Sequence, residues 1–148
     1  MDDLSTFLKE HQYFCCLDEL EQKEFISVLS SETFSKDDVI FKKGDSGDRF
    51  FIVKNGLVRI FIVDGDNEET IAIMKPGDVF GELSMCDIQP RSAYASALAS
   101  TTLLVMIDEN FEELKNKSPR VASKIFQVML RVVSKRLRLT TMKLFGQF

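Results

Sequence analysis

Histidine is almost missing from this 148-residue chain; His11 is the one copy. A single imidazole removes most metal-enzyme and catalytic-triad chemistry, which draws on histidine as ligand or base. Cysteine is scarce as well. Cys15, Cys16 and Cys86 make no disulfide framework, and three thiolates fall short of a four-cysteine iron–sulfur cluster. A reducing cytoplasm suits them. No apolar run approaches the ~20 residues that cross a bilayer, so no membrane partner is expected. The acidic, polar opening MDDLSTFLKE is not a secretory signal. No activated Ser or Cys and no carboxylate pair stands out, so enzyme activity is not expected and no catalytic residue or metal site is assigned. His11 does fall within a helical turn of Cys15 and Cys16, but adjacent cysteines point in different directions, and all three are read as surface or packing residues.

What is present is an ordinary soluble composition, 45% hydrophobic and 28% charged, in a length that suits one domain with a proper core. The charge is unevenly placed. All 23 acidic residues lie before Leu114 with 10 of the 19 Lys and Arg, and the C-terminal stretch keeps the other nine bases. A basic tail can signal nucleic acid. The plainer reading, a solvated helix face complementing an acidic body, is preferred, and no direct DNA binding is expected.

Along the chain, Asp18 followed by Glu21 forms a capping-box-like helix start, with Leu20, Phe25, Val28 and Leu29 as the apolar stripe and an end near residues 30–31. From Asp38 the period changes to short β-type runs divided by turn formers. RFFIVK and LVRIFIV flank Asn55-Gly56, a strong hairpin signal. Asp64-Gly65-Asp66-Asn67 makes a second turn into ETIAIM, Pro76-Gly77-Asp78 a third, and AYASALA and TTLLVMI complete the β-rich part. No βαβ rhythm occurs. The expected architecture is therefore mostly β with flanking α-helices: a β-roll or jelly roll over residues 35–108, helices over 1–34, and further helices over 109–148, in a single domain of residues 1–148. Ser118-Pro119 reads as the start of a long helix to about Leu144. Phe126, Leu130, Val133, Leu137, Thr140 and Leu144 form a heptad seam on it, beside a second row of Ile125, Met129, Val132 and Leu139. Two rows suggest that one packs on its own domain and the other meets a second copy, giving a homodimer through the C-terminal helix. Thr140 on the seam and Thr141 beside it either bond a carbonyl one turn back or meet a ligand.

The stretch from Phe80 to Ala97, FGELSMCDIQPRSAYASA, concentrates polar chemistry. It supplies a carboxylate at Glu82, a guanidinium at Arg91, a hydroxyl at Ser92 and the N–H groups of a short helix start. Helix-start N–H groups favour phosphate, and an arginine binds its oxygens two at a time. Glu82 can accept from a sugar hydroxyl. This inventory suits a small anion that carries ribose hydroxyls.

These residues support a family resemblance. GDSGDRFFIVKNGLVRIF from Gly44 to Phe61, KPGDVFGELSM from Lys75 to Met85, and PRSAYASA from Pro90 to Ala97 resemble, in order and spacing, the cyclic-nucleotide-binding domain family. Bacterial catabolite activators, regulatory subunits of cyclic-AMP-dependent kinase and nucleotide-gated channels share that domain. The resemblance implies a phosphate-binding cassette at 80–97, in which Arg91 and Ser92 take the cyclic phosphate with backbone N–H groups after Glu82. Glu82 would take the ribose 2′-hydroxyl, Gly81 would leave room for the sugar, and Leu83 and Ser84 would open the short helix. Ile71 and Ile73 would offer apolar contact to the base. Ser92, together with Thr140 and Thr141 in KRLRLTTMKL, resembles the catabolite-activator pattern, which implies cyclic AMP rather than cyclic GMP.

The same resemblance implies a cytoplasmic regulator whose C-terminal helix moves on ligand binding and signals to a downstream protein partner that the residues do not identify. Catabolite activators continue into a DNA-binding helix-turn-helix domain; this sequence stops at Phe148, so it is expected to be either a free-standing sensor or the effector-binding part of such a regulator. A metal-dependent jelly-roll enzyme needs a His cluster that is missing. The same fold with a non-nucleotide effector commonly loses the Glu or Arg, and both are retained here.

Overall fold

The computed structural model describes residues 3–83, 87 and 89–145. It contains two compact units, Leu29–Asn110 and the combination of Met1–Val28 with Phe111–Phe148.

The first unit is the β-structure. Its strands are β1 (Ser30–Phe34), β2 (Val39–Phe41), β3 (Arg49–Asn55), β4 (Val58–Asp64), β5 (Asn67–Met74), β6 (Val79–Phe80), β7 (Tyr94–Ala97) and β8 (Thr101–Ile107). They form two four-stranded antiparallel sheets, ordered β1-β8-β3-β6 and β2-β7-β4-β5. The core between them draws Phe51, Val53, Phe80, Leu103 and Val105 from one sheet and Val58, Ile60 and Ala95 from the other. Strict alternation decides which residues enter it. On β3 the other face is buried too, through Phe50 and Ile52, so RFFIVK reads as a continuous apolar run rather than an alternating one.

Two expectations change here. Asn55-Gly56 does not close a hairpin: β3 pairs with β6 and β8, β4 pairs with β5 and β7, and the chain passes from one sheet to the other at this turn. The local turn chemistry is as read, but each strand finds better partners elsewhere. A strand also precedes the expected β-region, because Ser30–Phe34 pairs along β8 from Ser30↔Val105 to Phe34↔Thr101. Its sequence SSETF carries almost no apolar alternation, so backbone pairing to the buried β8 defines it. The turn at 64–67 is a true hairpin, with Asp64 opposite Asn67.

The second unit is helical: α1 (Asp3–Glu10), a 3-10 turn (Phe14–Cys16), α2 (Glu19–Val28), most of α3 (Asp108–Lys117), and α4 (Pro119–Phe145). The capping box at α2 is reciprocal. The Glu21 N–H donates to Asp18 Oδ1 at 2.9 Å, and the Asp18 N–H donates to Glu21 Oε1 at 2.9 Å. Leu20 is 67% exposed rather than part of the stripe, while Glu21 and Gln22 are buried. Glu21 is buried because Lys124 on α4 meets it at 2.6 Å and Arg120 at 3.3 Å. On the 27-residue α4, Ile125, Met129 and Val132 are buried, but Leu139, expected in the same row, is 47% exposed. The heptad row is not buried: Leu130 is 66% and Leu137 65% exposed. None of the described helices is long and apolar enough to cross a membrane.

Candidate functional site

Within the β-unit, β6 ends at Phe80 and delivers Gly81-Glu82 to the wall of the roll. Gly81 has φ of +79°, and a side chain there would lie 2.8 Å from Arg91 Nη1 and 3.3 Å from the Phe51 ring. Both the backbone sign and the space demand glycine. The room it leaves is filled by Arg91, which donates from Nη1 to the Gly81 carbonyl at 2.9 Å and from Nη2 to the Arg49 carbonyl at 2.6 Å. The guanidinium also lies over the Phe41 ring, 4.4 Å from its centre, and 5.7 Å from that of Phe51. Its backbone is tied down by two bonds to the preceding turn: Arg91 N–H donates to the Asp45 carbonyl at 2.9 Å and Gly44 N–H to the Arg91 carbonyl at 2.8 Å.

The electrostatics follow from burial. Arg91 is 5% and Glu82 2% exposed. Burial pulls the Arg91 guanidinium below its ordinary pKa, and Arg49 adds to this, while the carboxylates of Asp48, Glu82 and Asp45 push it back up. Arg49, hydrogen-bonded through Nε to Asp48 Oδ1 at 2.9 Å, holds that carboxylate below its usual range and is itself raised. With Glu32, 3.6 Å from Arg49 Nη1, two guanidinium groups and four carboxylates share one corner of the roll. A buried cation stacked on two rings, with N–H groups already held on carbonyl oxygens, is a preorganised donor toward an oxyanion.

The structure brings Gly81, Glu82 and Arg91 together. Leu83 is 55% exposed and Ser92 is exposed, both beside them in sequence. Ser84 and Cys86 lie outside the described residues. On β5 the alternation puts Ala72 and Met74 against the core and leaves Ile71 49% and Ile73 43% exposed. The strand therefore offers Ala72 and Met74, not the two isoleucines, to the interior on which Arg91 rests. Thr140 and Thr141 lie on α4 in the helical unit. Thr140 is exposed, and the Thr141 hydroxyl donates to the Leu137 carbonyl at 2.8 Å, one turn back. Asp45, Asp48, Arg49, Phe41 and Phe51 are the site neighbours that sequence reasoning missed. GDSGDRF was visible, but only as a turn followed by a strand. His11 is buried, and its Nδ1 accepts from the Tyr13 and Phe14 N–H groups at 3.0 and 3.2 Å.

With this geometry in place, comparison with known proteins is decisive at the family level. The profile described as Cyclic nucleotide-binding domain matches residues 31–118, more than half of the chain. The chain belongs to the cyclic nucleotide-binding domain family. Members of similar sequence include the Cyclic AMP receptor protein of Thermus thermophilus, 34% identical over 107 residues, which are 72% of this chain and 50% of that protein. This chain thus spans about half the length of that relative. Among solved structures, the N-terminal domain of a transcriptional regulator from Streptomyces coelicolor A3(2) is 32% identical with a TM-score of 0.75, covering 93% of this chain and 94% of that one. A cyclic nucleotide-binding domain from Methylobacillus flagellatus KT has a TM-score of 0.85 over 97% of this chain and 81% of that one. At 22% identity it speaks for the shared fold alone, a jelly roll with flanking helices.

Proposed function

We propose that this cyclic nucleotide-binding domain is a cyclic-AMP sensor and not an enzyme. The observation that carries the reading is the buried Arg91 guanidinium beside buried Glu82, inside the family-matching residues. Arg91 would pair with the cyclic phosphate, with help from the Ser92 hydroxyl and the N–H groups of Leu83 and Ser84. Glu82 would accept from the ribose 2′-hydroxyl. Ala72 and Met74 would give the base an apolar wall. Retention of both Glu82 and Arg91 speaks against a non-nucleotide effector.

Cyclic AMP over cyclic GMP rests on Ser92 and on the exposed Thr140 hydroxyl as a contact to the base, Thr141 being spent on the Leu137 carbonyl, and the name of the Thermus relative supports it. In this reading residues 1–148 act as one domain. The exposed row Leu130, Leu137 and Leu144 pairs with a second copy, because a helix this apolar on an open face gains by covering it. Signalling then proceeds by movement of α4, which requires that the ligand interact differently with its two positions. The protein works in the cytoplasm as the effector-binding part of a regulatory system.

Calorimetry of the intact chain with cyclic AMP, cyclic GMP and cyclic dinucleotides tests the ligand class. Micromolar or tighter binding of a cyclic mononucleotide, with cyclic AMP ahead, is the expected result. Preference for a cyclic dinucleotide, or no binding by any of them, would overturn it.

A further inference from the structure

One face of α4 is a row of cations. Arg120, Lys124, Arg131, Lys135 and Arg138 are separated by steps of four, seven, four and three residues, which return to one side of a 3.6-residue helix. The first two are engaged by Glu21. Arg131, Lys135 and Arg138 have no ion-pair partner among the described residues, and α4 itself contains no acidic residue. Together with Tyr13, Leu130 and Leu139 these three line an open cavity of ≈ 540 Å³. Tyr13 is a fixed wall: its N–H donates to His11 Nδ1 at 3.0 Å, and its ring centre lies 6.0 Å from the imidazole.

We propose that this groove docks an acidic segment of a partner protein, with one apolar side chain seated between Leu139 and Tyr13, which leaves Leu130 to the seam. From Arg131 to Arg138 the cations span about 10 Å along the helix, the reach of three carboxylates in a short peptide. Three cations form a short row, and the apolar side chains beside them find no counterpart on a phosphate backbone, whose contacts are charged. A bilayer surface takes a helix whose apolar face projects freely, and here Tyr13 rises beside the charged row. Concavity, fixed walls and unpaired charge together fit a peptide, with the charges speeding encounter and the apolar floor holding the anchor. The proposal does not depend on which ligand the Arg91 site takes.

Fluorescence anisotropy on the intact chain tests it. The probe is a labelled peptide of about twelve residues with Glu at positions i, i+4 and i+7 and one leucine between them, the spacing of the cations along α4. The expected result is saturable binding that weakens severalfold as salt rises from about 50 to 300 mM, as screening of exposed charges requires. A peptide with Gln for Glu should bind at least tenfold more weakly, as should the R131E/K135E/R138E variant, whereas Arg136→Glu, off that face, should change little. If the triple variant does not fold, Lys135→Gln should show a smaller loss of the same sign. Equal binding of the Glu and Gln peptides, unchanged binding by the variants, or tighter binding to single-stranded DNA or phosphatidylserine vesicles would overturn the proposal.

Discussion

Replacing Gly81 with alanine separates the backbone strain at the candidate site from the contact made there. Its φ of +79° lies in the left-handed region, which costs an L-residue about 1–2 kcal/mol. An alanine at Gly65, where φ is +63°, has the same backbone cost, but nothing lies within 4 Å of a side chain placed there. At Gly81 the new methyl would lie 2.8 Å from Arg91 Nη1, so the guanidinium has to shift and its bond to the Gly81 carbonyl is strained. Complete loss of that charge-assisted bond adds about 1.5–3 kcal/mol. Gly65→Ala should therefore destabilise by about 1–2 kcal/mol and Gly81→Ala by more, up to roughly 5 kcal/mol if the bond is lost outright. Urea unfolding of both variants gives the stabilities, and titration with cyclic AMP gives the affinities. Only Gly81→Ala should bind more weakly. Equal stability of the two variants, with wild-type affinity in both, would refute the packing of Arg91 against Gly81.

Glu21 should shape acid stability. The Asp18 N–H and then Lys124 hold its carboxyl below the usual range, so its contribution is present above the ordinary value of 4.5 and fades as pH falls through the lower folded value. Glu21→Gln should remove part of the acid sensitivity in that window, measured by urea midpoints against pH; unchanged sensitivity would discard the assignment. Thr140→Ala should weaken cyclic AMP binding more than cyclic GMP binding, and equal loss in calorimetry would remove the base-reading role. Leu137→Glu, at a position 65% exposed, should convert a dimer to a monomer in sedimentation, and a wild-type monomer at all concentrations would reject pairing through α4.

Features set by local chemistry were legible before the structure. The capping box of Asp18 and Glu21, the 64–67 hairpin and the start of α4 at Ser118-Pro119 all follow from residue types at fixed short spacings. Features set by distant partners were not. Ser30–Phe34 is a strand because β8 lies beside it, and Asn55-Gly56 passes between sheets because β3 and β4 pair elsewhere. The facing of Ile71 and Ile73 depends on a register that alternation alone leaves open by one residue. Arg49, Asp48 and Phe41 reach Arg91 through the folding of the roll, and no spacing in the sequence announces that meeting. The two rows on α4 were visible as rows. Only burial shows that Ile125, Met129 and Val132 form the covered one.

The central claim is that Arg91 receives the phosphate of a cyclic mononucleotide. Its most direct test is calorimetric titration of the intact chain and of Arg91→Ala with cyclic AMP, with the fold of the variant checked by circular dichroism. Loss of a charge-assisted bond worth about 1.5–3 kcal/mol should weaken binding by roughly 10- to 150-fold. A folded Arg91→Ala variant that binds cyclic AMP as tightly as the wild type would contradict the account.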